Sequence, residues 1–427
     1  MEFNLSPGDR VKLRLALEEL EGIVLESSDS SIVLLKLESG YNIGIPKENI
    51  LASRIIKKYQ TPPPSASFQI PHKNSLPNIG LIITGGTIAS KLDTKTGGVK
   101  HLTSPEEFAK YYPEIFKIAN IKKIEVPFMI SSEAMTHEHW IKIAQTAKPM
   151  LEDQEISGVI ITHGTDTLHY TSTALSFFIK NLNKPIVLTY SQRSIDRASS
   201  DAALNLQCAA RMALSDAAEV MLVGHATSND DFCYALKGTK VRKLHSSRRD
   251  AFKPINTIPI AKVWPDKVEF LDKYNPINNN KPELDLLYND KVALIKFYPG
   301  QDPAILDYYA SHYKGLIIEG TGLGHLPPSE AQHNWIPKLK KHIKSGLIVC
   351  ITSQTIFGRV DPYVYSNARE LLDAGVIFLE DMLAETALVK LGYILGHYGW
   401  KTKVKEKMLE NIAGELNLKL NFQQDLI

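Results

Sequence analysis

Cysteine is scarce in this chain. Cys208, Cys233 and Cys350 are the only three in 427 residues, and they lie far apart. Three scattered thiols cannot frame a disulfide scaffold, and none has the spacing of a metal-ligand pair. A reducing compartment is favoured, and no metal site is expected. No apolar run reaches the roughly 18 residues of a membrane span, and the start, MEFNLSPGDR, shows no basic, apolar leader. A cytoplasmic protein without a membrane partner is therefore expected. Excess charge of one sign is lacking too. Lys and Arg number 49 against 47 Asp and Glu, so any RNA contact has to come from a local patch. The turn Gly320-Thr321-Gly322-Leu323-Gly324-His325 looks like a nucleotide loop. It lacks the Gly-Lys-Ser/Thr ending of a P-loop and the Rossmann spacing, so no ATP site is assigned to the chain.

What is present is a normal globular balance, 44% apolar and 22% charged, at a length that implies two or three domains. Residues 1–60 alternate in short strands: Arg10 to Leu15, Gly22 to Leu25, Ile32 to Leu37 and Gly40 to Ile45. A small β-barrel fits, and it can be a docking or RNA-contact module or a passive cap. Residues 61–78 are rich in proline and serine and read as a linker. An α/β body follows over 79–272, with its strands expected in a parallel sheet and helices on both faces. It includes a helix over Asp196 to Ser215. An Asn- and Pro-rich linker spans 273–288. A second α/β unit covers 289–400, with strands at Val292 to Phe297, Leu316 to Glu319, Leu347 to Thr352 and Gly375 to Leu379. Residues 401–427 read as an amphipathic helical tail packed on the surface.

Three stretches carry chemistry. In Asn78 to Ser90 a β-branched strand ends in Thr84-Gly85-Gly86-Thr87. Thr87 then lies just past the carboxyl end of a strand, where open α/β sheets bind ligands. Alone, that turn also fits an ordinary strand-to-loop connection. In Ser157 to Thr173 the same grammar recurs, a strand, the turn His163-Gly164-Thr165-Asp166-Thr167, then a helix. Thr165 and Asp166 fall near the helix N-terminus, which favours anions. The third stretch, Thr239 to Ser247, supplies Lys243 as a base. Its dense charge from Lys237 to Arg249 also fits a solvated loop. His163 is expected to brace its turn, and His245 to serve as an auxiliary polar group.

TGGTIAS, HGTDT and the Lys-x-x-Ser-Ser segment together resemble the type I/II L-asparaginase family, in its order and at similar spacing. The match runs from about Ile79 to Gly396. The phrases GDRV and GYNIGI resemble, more narrowly, the D-subunit family of the archaeal glutamyl-tRNA(Gln) amidotransferases. The resemblance implies an asparaginase-like two-domain α/β body behind the small barrel. It implies Thr87 as primary nucleophile, with Thr165, Asp166 and Lys243 as the assisting set. Ser132 and Glu133 match the family's substrate-holding pair. Read alone, Ser131 and Ser132 would be an N-cap for a helix over Trp140 to Met150. The polar stretch Lys91 to Thr103 suits a lid or a plain surface loop, and Thr94 stands where the family commonly has tyrosine.

The resemblance further implies glutamine as substrate and ammonia passed to a partner E subunit. That partner would hold ATP and Mg2+ and act on Glu-tRNA(Gln), with this chain a homodimer inside a heterotetramer. Two other readings stay open at this point: a free cytosolic L-asparaginase, and a non-catalytic assembly or tRNA-binding subunit.

Overall fold

The computed structural model describes residues 4–27, 29–38, 42–59, 71–92, 99–101, 108, 110–195, 197 and 199–420. Most of the 61–78 linker, Thr94 and the last seven residues of the tail lie outside the described residues.

Period-two alternation builds the N-terminal module. Arg10–Arg14 turns Val11 and Leu13 inward, and Val24, Val33, Leu35, Ile45 and Ile50 complete the core. The expected small β-barrel is a five-stranded antiparallel sheet in the order Asn42–Pro46, Ile32–Leu37, Glu19–Leu25, Arg10–Arg14, Ala52–Lys57. The last strand has no counterpart in the sequence reading. Its run ASRIIK buries no residue fully, so it shows no clean apolar face.

The body begins with an eight-stranded sheet. Five strands are parallel and lie in the order Asn120–Glu125, Asn78–Ile83, Ile156–Thr162, Ile186–Thr189, Val220–His225. Three antiparallel strands extend the far edge, Cys233–Lys237, Ala261–Val263 and Val268–Phe270. The all-parallel expectation fails there because short connections such as Ala226–Phe232 permit a hairpin and leave no room for a crossover helix. The edge strand on the other side is Asn120–Glu125. Pro127 ends it, and buried Asn120 anchors its start by donating to Lys73 O (2.8 Å) and Leu76 O (2.9 Å).

Strand alternation sorts the core into two layers. Ile82, Ile161, Leu188 and Leu222 face helices His137–Glu152 and Leu168–Phe178; Leu81, Ile83, Ile160, Val187 and Met221 face helix Ala202–Ala213. Each such fully buried side chain contributes about 2 kcal/mol, so the sheet is a stiff platform for the loops at its carboxyl edge. The helix Ala202–Ala213 is shorter than the expected 196–215. Asp201 accepts hydrogen bonds from Gln192 N and Arg193 N (2.9–3.0 Å), and Ser199 has φ 62°. That folds the preceding chain back as turns.

The C-terminal sheet is parallel throughout: Val292–Lys296, Gly315–Gly320, Ile348–Ser353, Ile377–Phe378. Helix Ala384–Gly396 lies against it and against Leu168–Phe178, which is why both helices are apolar nearly all round. The tail departs from expectation. Val404–Leu409 is its only helix among the described residues, and Glu415 is fully buried in an ion pair with Lys390. No helix among the described residues is long and apolar enough to cross a membrane.

Candidate active site

In the parallel sheet, strand order reverses between Asn78–Ile83 and Ile156–Thr162. The first crossover places Asn120–Glu125 on one side, and the next places Ile156–Thr162 on the other. Such a switch point opens a crevice at the carboxyl ends of the two strands. The turns after those strands are the Thr87 turn and the Thr165 turn.

Close packing of backbone joins them. Gly86 has φ 80°, and a Cβ there would sit 2.5 Å from the Gly164 backbone. Only glycine holds that conformation and that contact cheaply. A Cβ on Gly85 would meet Ile130 O at 2.3 Å, and one on Gly164 would meet Ser132 Cβ at 2.9 Å. Hydrogen bonds run the same way. Thr84 Oγ1 donates to Thr162 O (2.8 Å), Ile130 N to Thr84 O (3.1 Å) and His163 N to Thr189 O (3.0 Å). Three turns, 84–87, 130–134 and 163–167, are thereby stacked into one wall.

Thr87 opens a single turn of 3₁₀ helix and is partly buried, and its hydroxyl has no partner among the described residues. Ser90 Oγ donates to Gly86 O (2.7 Å), and the buried Tyr112 phenol donates to Ile88 O (2.5 Å). These bonds brace the turn on both sides of Thr87. Sequence reading could not assign Tyr112 a place, since nothing local in it points 24 residues back.

Thr165 and Lys243 meet as the sequence suggested. Lys243 Nζ donates to Thr165 Oγ1 and to Asp166 Oδ1, each at 2.8 Å. The Lys243 side chain is 11% exposed and that of Asp166 63%, so the amine sits at the base and the carboxylate at the mouth. Lys243 is on a strand, Val241–Lys243, paired with Phe252–Pro254. The Lys237–Arg249 segment is thus structured and partly buried up to Lys243, while His245 to Arg248 form an exposed turn. Lys240 pairs with Asp381, Arg242 with Glu385, Arg248 with Asp250 and Arg249 with Asp230.

Ser132 is 2% exposed; its Oγ accepts from Asp166 N (3.2 Å) and its carbonyl from Thr167 Oγ1 (2.7 Å). Glu133 is exposed beside it. The N-cap alternative for Ser131 and Ser132 fails. They form a separate turn, and Thr136 precedes the helix His137–Glu152, its N–H donating to His139 Nδ1 (3.0 Å). The Lys91 to Thr103 segment is hairpin-paired, Ser90–Leu92 against Val99–His101, with Thr94 and the tip outside the described residues.

His163 braces its turn. Its Nδ1 donates to Gly164 O (2.7 Å) and its Nε2 accepts from Thr171 Oγ1 (2.8 Å). Burial pushes its pKa down to about 4, so the ring is neutral at pH 7. His169, one turn on, is pushed down to about 3 by burial and then by Arg242 and Lys243, and its Nδ1 has no partner among the described residues. His245 Nδ1 accepts from Ser247 N and Arg248 N, both at 3.0 Å, which closes the hairpin turn. No cluster of three metal-ligating side chains occurs among the described residues.

Comparisons with known proteins agree with this architecture. The family model "Asparaginase, N-terminal" matches residues 78–275, "Glutaminase/Asparaginase C-terminal domain" matches 291–408, and "GatD N-terminal domain" matches 5–56. The chain is 49% identical over 403 residues to the D subunit of the glutamyl-tRNA(Gln) amidotransferase of Thermococcus kodakarensis, covering 93% of this chain and 90% of the relative. It is 50% identical to the corresponding protein of Pyrococcus furiosus, at 93% and 91% coverage. Among solved structures, the thermostable L-asparaginase from Thermococcus kodakarensis aligns with a TM-score of 0.71 at 32% identity, over 80% of this chain and all of its own.

Proposed function

Since the chain belongs to the asparaginase family, and within it to the D subunits of glutamyl-tRNA(Gln) amidotransferases, we propose that it hydrolyses glutamine and hands the ammonia to a partner subunit. The partner E subunit then uses ATP and Mg2+ to convert Glu-tRNA(Gln) to Gln-tRNA(Gln). This chain needs neither cofactor for its own step. It works as a homodimer within a heterotetramer. The observation that carries the reading is Lys243 Nζ at 2.8 Å from both Thr165 Oγ1 and Asp166 Oδ1, on a turn packed directly against the Thr87 turn.

The chemistry follows from those positions. Thr87 Oγ1 attacks the side-chain carboxamide carbon, and its proton passes to the departing nitrogen. The C–N bond breaks, ammonia leaves, and an ester to Thr87 remains. Water then adds to the ester, releases glutamate and returns the proton to Thr87. The water step needs a group to relay the water's proton, and Thr165, hydrogen-bonded to the Lys243 amine, is placed to do so. The exposed Asp166 carboxylate receives the α-ammonium of the substrate and orients Lys243. Ser132 and Glu133 hold the α-carboxylate and α-amino end. The N-terminal sheet supports the amidotransferase reading over a free asparaginase, because the aligned L-asparaginase covers only 80% of this chain.

The test is ammonia release from glutamine and from asparagine, by the full chain alone and then with the E partner, Glu-tRNA(Gln) and ATP. Glutamine release that rises in the full mixture, and falls at least about a thousandfold in Thr87→Ala, is expected. Fast asparagine hydrolysis indifferent to partner and tRNA would establish a free asparaginase instead. Intact glutamine-dependent tRNA amidation by Thr87→Ala would leave only an assembly role.

A further inference from the structure

The strand that presents Lys243 is three residues long and sits in a two-stranded ladder. Such a ladder is marginal by itself, so what fixes Lys243 against Thr165 has to lie elsewhere. Side chains alternate along a strand. Val241, on the face of Lys243, is in the core. Lys240 and Arg242 face the other way, into the C-terminal unit.

Lys240 Nζ is ion-paired with Asp381 Oδ2, the two side chains 1% and 0% exposed. Asp381 is itself held. Its Oδ1 accepts from Asn417 N (2.9 Å), its Oδ2 from Asn417 Nδ2 (2.7 Å), and its carbonyl from Asn256 Nδ2 (3.2 Å). Arg242 pairs with Glu385 at 3.0 Å. Thr386 Oγ1 donates to Thr239 O (2.9 Å), and Thr239 Oγ1 donates to Ala413 O (3.1 Å). Every residue from 239 to 242 is thus fastened, three of them to the C-terminal unit or to its closing segment, and the next residue is Lys243.

A buried ion pair is a costly way to fasten two elements, since an apolar pair of like volume often holds them as well. What the pair adds is direction. Three charge-assisted bonds converge on one carboxylate and leave the strand a single depth. We propose that Asp381 is a positioning residue: through Lys240 it sets the strand that aims Lys243 at Thr165, and Asn417 of the closing segment locks it. The inference rests on the amide-hydrolysis reading above.

The test uses the full chain with its partner subunit and the charge-neutral double variant Lys240→Met/Asp381→Leu, with Asn417→Ala beside it. Two readouts are taken: kcat and KM for glutamine, and the pH dependence of Lys243 acylation by an amine-reactive probe, read by mass spectrometry. Asp166, Arg242 and His169 remain in every protein, so a moved Lys243 titration reports displacement. The double variant is expected to lose at least tenfold in kcat, to keep KM within twofold and to move the titration by half a pH unit or more. Asn417→Ala is expected to lose two- to fivefold. Wild-type kcat and titration in the double variant would overturn the proposal. So would a lower kcat with an unmoved titration, which means general loosening. If the unaltered protein turns over neither glutamine nor asparagine, the hydrolase reading fails and the titration alone decides the positioning. Should the double variant not fold, Asn417→Ala decides: an unchanged titration there overturns the claim.

Discussion

Two glycine turns follow two buried parallel strands in this molecule, and they behave in opposite ways. After Asn78–Ile83, Gly86 presses its backbone on Gly164 of a neighbouring turn, and the Thr87 hydroxyl is left without a partner among the described residues. After Gly315–Gly320, the turn's polar groups are taken up by its own backbone and by neighbouring chain, with Ser353 Oγ donating to Gly322 O (2.6 Å) and Asp361 N to Leu323 O (3.0 Å). Thr321 N donates to His325 O (3.0 Å), His325 N to Thr321 O (2.8 Å) and Gly324 N to Thr321 O (2.9 Å). Thr321 Oγ1 also reaches His325 O at 3.3 Å. The motif grammar is the same; the difference is what satisfies the polar groups. A turn whose donors and acceptors are taken up by the protein itself is scaffold. A turn that leaves a hydroxyl free at a sheet switch point is a place for chemistry.

The contrast breaks first at the amine. Lys243→Met keeps the length of the stem and removes the group that touches Thr165 and Asp166. Glutamine turnover should drop about a hundredfold or more, the usual scale for losing a proton-transfer group. KM should move little, which steady-state ammonia assays separate from kcat. A kcat within threefold of the unaltered protein would remove Lys243 from the mechanism and make the Thr165 turn another scaffold.

Gly86→Ala tests the packing half of the comparison. A Cβ 2.5 Å from Gly164, at φ 80°, forces the two turns apart. A loss of about 3 kcal/mol in denaturant unfolding is expected, together with most of the activity. Retained stability would mean that the two turns move independently.

His163 offers a pH test of the same wall. Its folded pKa of about 4 lies below the ordinary 6.5, so protonation favours the unfolded chain. The contribution of His163 is complete above pH 6.5, falls as pH drops through the window from about 6.5 to 4, and levels off below, while His169, pushed down to about 3, adds its own loss from about 6.5 to 3. The His163 shift is worth about 3 kcal/mol. His163→Gln should remove its share of the slope in Tm measured from pH 7 to 4 and leave the share of His169. An unchanged slope would assign the acid loss to other groups.

The strands and their turns were legible in sequence because both signals are local. A β-branched run followed by Gly-Gly or His-Gly needs no distant partner to be read, and Lys243 came with the resemblance its segment carries. Other features were not legible because their causes are distant. Glu415 reads as a surface charge in an amphipathic tail, yet it is buried by Lys390, 25 residues earlier in the chain. Ser132 reads as a cap, yet tertiary packing gives it Asp166 and Thr167 as partners. The short helix at Ala202–Ala213 is cut by Asp201, whose carboxylate takes two backbone N–H groups instead of continuing the turn. In each case a long-range hydrogen bond or ion pair overrides a local periodicity.

The smallest expected effect sharpens the comparison most. Gly322 has φ 50°, and the nearest atom to an added Cβ is 4.0 Å away, on His325. Alanine there meets no neighbour, and its cost is the backbone conformation alone, about 1 kcal/mol. Gly322→Ala should therefore lower stability by about that amount and leave the Lys243 titration and the Thr87 turn untouched. The same glycine-to-alanine change thus has two outcomes in two turns of like sequence, severe where backbone meets backbone and slight where the added Cβ meets open space. If Gly322→Ala proved as damaging to turnover as Gly86→Ala, the second turn would have to reach a ligand, and free polar groups would no longer mark the site apart from its scaffold.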